Sequence, residues 1–463
     1  MITLPTDLRD IALRPGDDGF ADAREIFNSR TSENTPSVIL GARDASDVLA
    51  VARHAGETST PLAVRAGGHG VDGTAMPDGA LVADLSGLTS IDVDPSTGVV
   101  RLGAGVLLRD MDAALIAHGL VVPSGTVSTT GIAGLTLGGG IGYLMRRYGA
   151  TVDNLLSCSV VTLDGRLVTA SERENPDLFW ALRGGGGNFG VVTEFEFRAR
   201  PLAREVAAGF LLFPLDQAPE VLAGLREYLP RAPRELAVVA ALTQCPPLPP
   251  VPPEFHGRPV LMPIVVHSGD PSSVPSVLDA LAGLGRPVAS AVAPMPWTEA
   301  NRMLDVIAPP GRRYYSKGGY LTELDDATID VVVRNTASAP APSTPPLPST
   351  VQNLWAMGGA VSDDVAEDAM AFSREGASWL WESVTEWDDA RDDATYRGWL
   401  DGLRGELTPH LRSNSYVNLS TDHGPTWRRG VWGSPEKYQR LVTAKTTWDP
   451  HNLLRYNKNI KPR

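Results

Sequence analysis

Three glycine-rich stretches lie between residues 67 and 190: "GGHGVDG" (Gly67–Gly73), "GTVSTTGIAGLTLGGGIG" (Gly125–Gly142) and "GGGGNFG" (Gly184–Gly190). Glycine inside a helix or strand costs about 0.5–1 kcal/mol relative to alanine. A chain that keeps this many reads as loops along which the backbone must come very close to something. A single loop of this kind is a tight turn; three long ones, each following an ordered element, predict a cradle. Successive N–H groups in such loops form nests that hold anions, so the expected guest is a large, phosphate-bearing cofactor.

Two of these stretches match G-x-G-x-x-G, at Gly68–Gly73 and Gly185–Gly190. A dinucleotide fingerprint needs its glycines at a strand-to-helix turn, where the helix N-terminus meets the pyrophosphate. The first match runs into "TAMPDGALVADL", with Pro77 and Asp78-Gly79 leading to a strand, and the second runs into the alternating "GVVTEF". Neither offers a helix, which excludes the nicotinamide reading.

Around the loops the chain alternates strand and helix signals. "PSVILGA", "RDASDVLAVARHAGE" and "PLAVRAG" read as a β-α-β unit, the helix capped by Ser46 or Asp47. "ALVADLSGL" and "GVVRLGAGV" read as strands, "LLRDMDAALIAHG" as a helix ending at Gly119, and "SVVTLDGRLVTA" as a hairpin turning at Asp164-Gly165. Asn175 and Pro176 form a helix start, and "GVVTEFEFRA" closes the region as a strand. Beyond it, "PVLMPIVVH" and "SWLWESVTEW" are strands, "VPSVLDALAGLG" and "DATIDVVVRNTA" are helices, and the proline-rich "CPPLPPVPPEF" and "APAPSTPPLPST" are loops. This predicts an antiparallel sheet with helices on one face. Trp379, Trp381 and Trp387 are expected to pack that sheet, the other reading being an aromatic wall over a flat substrate.

A length of 463 residues calls for more than one domain. With 41 basic against 54 acidic residues, the net charge of −13 opposes binding to a phosphate backbone, so no nucleic acid is expected. Cys158 and Cys245 are too few for a disulfide framework or a cysteine-rich metal site, and no metal is expected. No apolar run reaches the roughly 20 residues of a membrane helix, and the N-terminus lacks a signal-peptide pattern; a soluble, cytoplasmic protein is expected.

The order of "RAGGHG" (Arg65–Gly70), "SGTVSTTGIAGLTLGGGIGYLMRRYG" (Ser124–Gly149), "DNLLSCSVVTLDG", "NPDLFWALRGGGGNFGVVTEFEF" and "YQRLVTAKTTWDPHNLLRYNKNI" (Tyr438–Ile460) resembles the FAD-linked oxidases of the vanillyl-alcohol oxidase / p-cresol methylhydroxylase superfamily. Within it the chain is most similar to the berberine-bridge-enzyme-like branch, of the singly linked 6-hydroxynicotine oxidase type. The resemblance implies an α+β fold: a two-subdomain FAD-binding (PCMH-type) domain over 1–200, a substrate domain with an antiparallel sheet covered by helices over 201–415, and a segment, 416–463, returning to the FAD domain.

It also implies that His69 is joined to the 8α-carbon of the flavin. Relatives that bond flavin C6 do so through a cysteine. Val127 stands there by spacing to Gly131, so a single link is expected. Arg65, Ala66, Gly67, Gly68 and Gly70 are expected around the diphosphate. Gly125, Thr126, Gly131, Thr136, Gly139, Gly140 and Gly142 would follow the ribityl chain and ring edge, Val191 or Val192 would meet the adenine half, and Tyr456, Asn457 and Asn459 would lie near the cofactor. Thr130 should sit by the flavin and bear on its reaction with oxygen.

The implied activity is oxidation of a C–OH or C–N bond of a small molecule, a secondary metabolite or glycoside, with O2 as acceptor. The family's base is often a tyrosine in Tyr-x-Asn-Tyr. Here "SYVNLST" keeps Tyr416 and Asn418 but has Leu419 at the last position. For Tyr416 to act as a base, cations in "GRRYYSKGGYL" (Arg313 and Lys317, with Tyr314 and Tyr315) would have to lower its pKa. The candidate catalytic set is therefore Tyr416, Tyr315, Lys317 and Asn418. A redox-neutral cyclase or isomerase, a non-catalytic ligand-binding protein, a dehydrogenase with another acceptor and a FAD-binding subunit of a larger oxidoreductase stay open as alternatives.

Overall fold

The computed structural model describes residues 2–421 and 423–463. Among the described residues its first half carries a four-stranded sheet, a five-stranded sheet and a two-stranded ribbon of Leu120–Val121 with Arg200–Pro201. Strands Val38–Gly41, Leu81–Asp84 and Leu62–Arg65 run parallel, with Ala12–Leu13 antiparallel at the edge. Parallel strands need a crossover, and helix Ala45–Glu57 provides one between Val38–Gly41 and Leu62–Arg65, which flank Leu81–Asp84, burying Val48, Val51, Ala52 and Ala55. Its cap is Asp44, whose carboxylate accepts from the amides of Ser46 and Asp47. The expected cap at Ser46 or Asp47 is thus corrected by up to three positions, and Asp47 instead pairs with Arg43 at 2.8 Å.

The second sheet is antiparallel, in the order Ile91–Asp94, Val99–Gly103, Val191–Arg198, Leu155–Val161, Leu167–Ser171. Its last two strands are the expected hairpin, with Gly165 at φ 79°. Helix Pro176–Leu182 begins at Pro176 as expected. Asn175, however, does not cap with its side chain: it sits at φ 48° and its Nδ2 donates to Thr169 O at 2.7 Å.

One element departs from the expectation of loops. Ile132–Gly138, inside the second glycine stretch, is a helix. Ile132, Ala133, Leu135, Thr136 and Leu137 are all buried. That burial, with the domain packed around it, outweighs glycine's weak helix propensity.

The second domain is built on an antiparallel sheet. Its central strands are Pro259–His267, Leu236–Gln244, Thr350–Ala356, Trp379–Trp387 and, at one edge, Arg313–Leu321. Helices Ala218–Tyr228, Asp326–Ala337 and Asp393–Leu407 cover one face, and the other turns toward the first domain. Pleating sends successive residues to opposite faces. Trp379, Trp381 and Trp387 accordingly join the helix-side core, as expected of tryptophans that pack a sheet. After Tyr416 the chain crosses back: Trp432, Leu441, Leu454 and Ile460 are buried in the core of the first domain.

Buried polar contacts cross between the two halves. Arg146 donates to Met357 O and Leu229 O. Asp112 accepts from Trp297 Nε1 at 3.2 Å and Asn301 Nδ2 at 2.7 Å. Among the described residues no helix is long and apolar enough to cross a membrane.

Candidate active site

Between the halves lies a cleft of about 460 Å³, within the usual size of small-molecule sites. Its floor is built from the glycine loops. A Cβ on Gly67 would collide with the Gly131 amide, and one on Gly131 would lie 2.6 Å from Gly67 N. The first two loops therefore meet backbone to backbone, and only glycine on both sides permits it. Ala66, Gly68, His69 and Gly70 extend this floor along the first loop, and Gly125, Thr126, Val127 and Thr130 along the second. Gly185, Gly187 and Gly190 of the third loop line the same cleft.

Toward one end the lining is apolar, with Leu62, Val64, Val192 and Leu454 near Val191. The C-terminal return adds Tyr456, Asn457 and Lys458. Asn457 Nδ2 is spent on Gly187 O and Leu454 O, whereas its buried Oδ1 has no partner among the described residues. A buried amide oxygen left this way costs about 1–3 kcal/mol, so it suits an N–H donor from a ligand. Lys458 Nζ pairs with Asp72 at 3.0 Å beside it.

Six of the cofactor positions expected from the sequence lie outside the lining. Arg65 pairs with Asp84 at 2.7 Å. Thr136 Oγ1 donates to Ile132 O within its own helix. Gly139, Gly140 and Gly142 admit Phe372, Thr151 and the Ser124 carbonyl, so their missing side chains serve chain packing. Asn459 has a buried Oδ1 without a partner among the described residues but does not border the cleft.

The opposite wall comes from the sheet. Val351, Asn353 and Trp355 of one strand and Glu382, Val384 and Glu386 of the next face the cleft, the residues between them facing the helices. Asn353 is directly opposite Glu382 in the ladder. Asn353 Nδ2 and Trp355 Nε1 both donate to Glu382 Oε2 at 3.2 Å. Burial raises the pKa of Glu382, opposed by these two donors. Glu386 is pushed up to about 7 by burial, opposed chiefly by the Arg312 guanidinium 3.2 Å away.

Tyr416 and Asn418 line the cleft. The phenol oxygen of Tyr416 accepts from Gly140 N at 3.1 Å and Asn418 Nδ2 at 3.0 Å. Burial nonetheless pushes its pKa up to about 12, with those donors only opposing the rise. The cations expected to activate it are elsewhere. Tyr314 faces the cleft, so its strand neighbours Arg313 and Tyr315, and Lys317 two further on, face the other way. Arg313 pairs with Asp393 at 2.7 Å, Tyr315 donates to Asp401 at 2.8 Å, and Lys317 lies 3.2 Å from His423 Nδ1 and 3.4 Å from Asp401. The grouping of Tyr315 and Lys317 with Tyr416 is thus corrected by the period of a strand. Glu382, which sequence reasoning passed over, stands in the cleft instead. The signal was available: an acidic residue inside a strand otherwise rich in tryptophan.

Residues 36–171 match the FAD binding domain family, and residues 415–461 the family described as berberine and berberine like. The chain is 30% identical to (R)-6-hydroxynicotine oxidase of Paenarthrobacter nicotinovorans, over 100% of its own length and 98% of the relative's. An FAD-linked oxidoreductase of Dictyostelium discoideum is 29% identical, with 93% of this chain and 89% of that one covered. The crystal structure of 6-hydroxy-D-nicotine oxidase from Arthrobacter nicotinovorans has the same fold, with a TM-score of 0.88 at 26% identity over 100% of both chains.

Proposed function

We infer, for a chain that belongs to the berberine-bridge-enzyme-like family of FAD-linked oxidoreductases, that it oxidises a C–OH or C–N bond of a small molecule with Glu382 as the base. Glu382 carries this reading. It is a buried carboxyl on the cleft wall, with one oxygen held by two donors and, among the described residues, no cation at hydrogen-bond distance. Such a group takes a proton from a substrate heteroatom near neutral pH, whereas a phenol with a pKa near 12 does so poorly.

The unpartnered Asn457 oxygen and the abutting glycine loops fit FAD, with Ala66–Gly70, Gly125–Thr126 and Gly185–Gly187 along its phosphate-bearing chain and Val191, Val192 and Leu454 at its adenine end. Bound there, FAD supplies the hydride acceptor. Glu382 takes the substrate proton, Asn353 and Trp355 hold that carboxylate in place, and Tyr416, fixed by Gly140 and Asn418, borders the reacting centre. His69 is the proposed covalent attachment point. Val127 lines the cleft without a thiol, so the link through His69 is proposed to be the single one. O2 is the proposed final acceptor, reduced to H2O2, and the name of the 30%-identical relative, an oxidase, supports this.

The test is a panel of alcohols, sugars and cyclic amines scored by anaerobic bleaching of the flavin, followed by air. A substrate that bleaches the wild-type flavin and yields one H2O2 per turnover supports the reading. A Glu382→Gln variant that bleaches at the wild-type rate removes Glu382 from the base role.

A further inference from the structure

His69 is held on two sides. Its ring stacks on Phe27 with centroids 3.9 Å apart and planes 22° from parallel, and Phe27 stacks in turn on Tyr314 at 4.5 Å. Its Nε2 lies 2.8 Å from Thr129 Oγ1. Among the described residues the other ring nitrogen, Nδ1, makes no hydrogen bond, and the ring borders the cleft.

Thr129 does not border the cleft itself, and its position is set by its neighbours. Ser128 donates through N and Oγ to Asp305 of the second domain, at 2.8 and 2.6 Å. Thr130 N donates to Val127 O at 3.1 Å, and Thr130 O accepts from Leu108 N at 2.9 Å. The hydroxyl is thus presented to the imidazole by a loop pinned on both flanks.

We propose that Thr129 is the positioning residue for flavin attachment: its hydroxyl holds the proton of the His69 imidazole on Nε2 and leaves Nδ1, with its lone pair toward the cleft, as the nucleophile. The proposal rests on the covalent reading above. A neutral imidazole has one protonated and one bare nitrogen, and the partner of one decides the state of the other. Burial lowers the pKa of His69 to about 4, with the Asp305 carboxylate opposing the shift, so the ring is uncharged at neutral pH. When the bond forms, Nδ1 joins the 8α-carbon, which loses one hydrogen, and the imidazole loses its Nε2 proton. The two electrons and two protons leave with dioxygen as H2O2. A threonine hydroxyl both accepts and donates, so Thr129 serves Nε2–H before attachment and bare Nε2 after it. Valine has the same shape and can do neither.

The test uses full-length wild type, Thr129→Val and Thr129→Ser, each incubated with excess FAD. Total bound flavin is measured beside the fraction that stays on the acid-denatured chain. Thr129→Val should take up as much FAD as wild type but attach it roughly fivefold or more slowly, the scale of one lost hydrogen bond, and Thr129→Ser should restore the rate. Attachment by Thr129→Val at the wild-type rate overturns the role of Thr129 and leaves the covalent reading standing. Wild type that binds FAD yet releases all of it on denaturation sinks the covalent reading, and this proposal with it. Should Thr129→Val fail to take up FAD, Thr129→Ala asks the same question, and attachment as fast as in Thr129→Ser refutes the proposal.

Discussion

Arg374 grips Asp153 with both ends of its guanidinium, each N···O distance being 2.7 Å, and the two side chains are only 3% and 5% exposed. The contact ties the segment that leads into strand Trp379–Trp387 to the first domain. Removing one partner of such a buried pair typically costs about 3–5 kcal/mol, because the other charge is left unpaired, whereas replacing both by apolar groups costs far less. Arg374→Met should therefore lower the unfolding temperature more than the double variant Arg374→Met/Asp153→Leu does. Calorimetry on the three proteins checks the order.

The base assignment predicts a pH profile. Glu382 must be ionised to act, so kcat/KM should fall as pH falls through its pKa. Burial places that acid limb above the range of a free glutamate. Glu382→Gln should lose the limb and slow flavin reduction by about 10²–10⁴-fold. Tyr416→Phe should keep the limb, since its pKa of about 12 lies far above it. Stopped-flow reduction across pH reads all three.

Asp112 links stability to pH. Burial raises its folded pKa to about 6, opposed by Asn301 and Trp297, whereas an unfolded aspartate titrates near 3.9. The protonated form is favoured in the folded state, so its contribution to stability is complete below about pH 3.9 and is lost as pH rises through about 6. In Asp112→Asn the change of unfolding free energy between pH 4 and 7 should be less negative than in wild type. Equal slopes in urea titrations would show that Asp112 does not titrate as described.

At the cleft floor, Gly67→Ala places a methyl against the Gly131 amide. The two loops must part, so the purified protein should carry several-fold less FAD, read from the ratio of flavin to protein absorbance. Gly402→Ala, on the exposed side of helix Asp393–Leu407 and away from the cleft, meets no atom within 4 Å and should keep its FAD.

The layered architecture and the cleft floor were legible because glycine loops and alternating strands leave local marks. Helix Ile132–Gly138 was not, because its stability comes from the burial of its apolar residues against the rest of the domain while its glycines argue against it. The cap at Asp44 was missed by two or three positions, since "DASD" offers several side chains able to cap. The sheet wall of the cleft was the harder case. Strand Arg313–Leu321 can be read from its sequence, but which of its faces meets the cleft depends on register in the sheet. A one-residue difference in parity separates Tyr314, which lines the cleft, from Tyr315, which does not. Likewise nothing local tells that Asn353 and Trp355, some thirty residues upstream, end up clasping Glu382.

That same parity makes the enzyme easy to retrain. Val351, Val384 and Glu386 touch whatever enters the cleft, while Leu354, Trp381 and Trp387 anchor the helices behind. A mutant library confined to Val351 and Val384, which unlike Glu386 hold no buried ion pair, would sample new guests while sparing the scaffold.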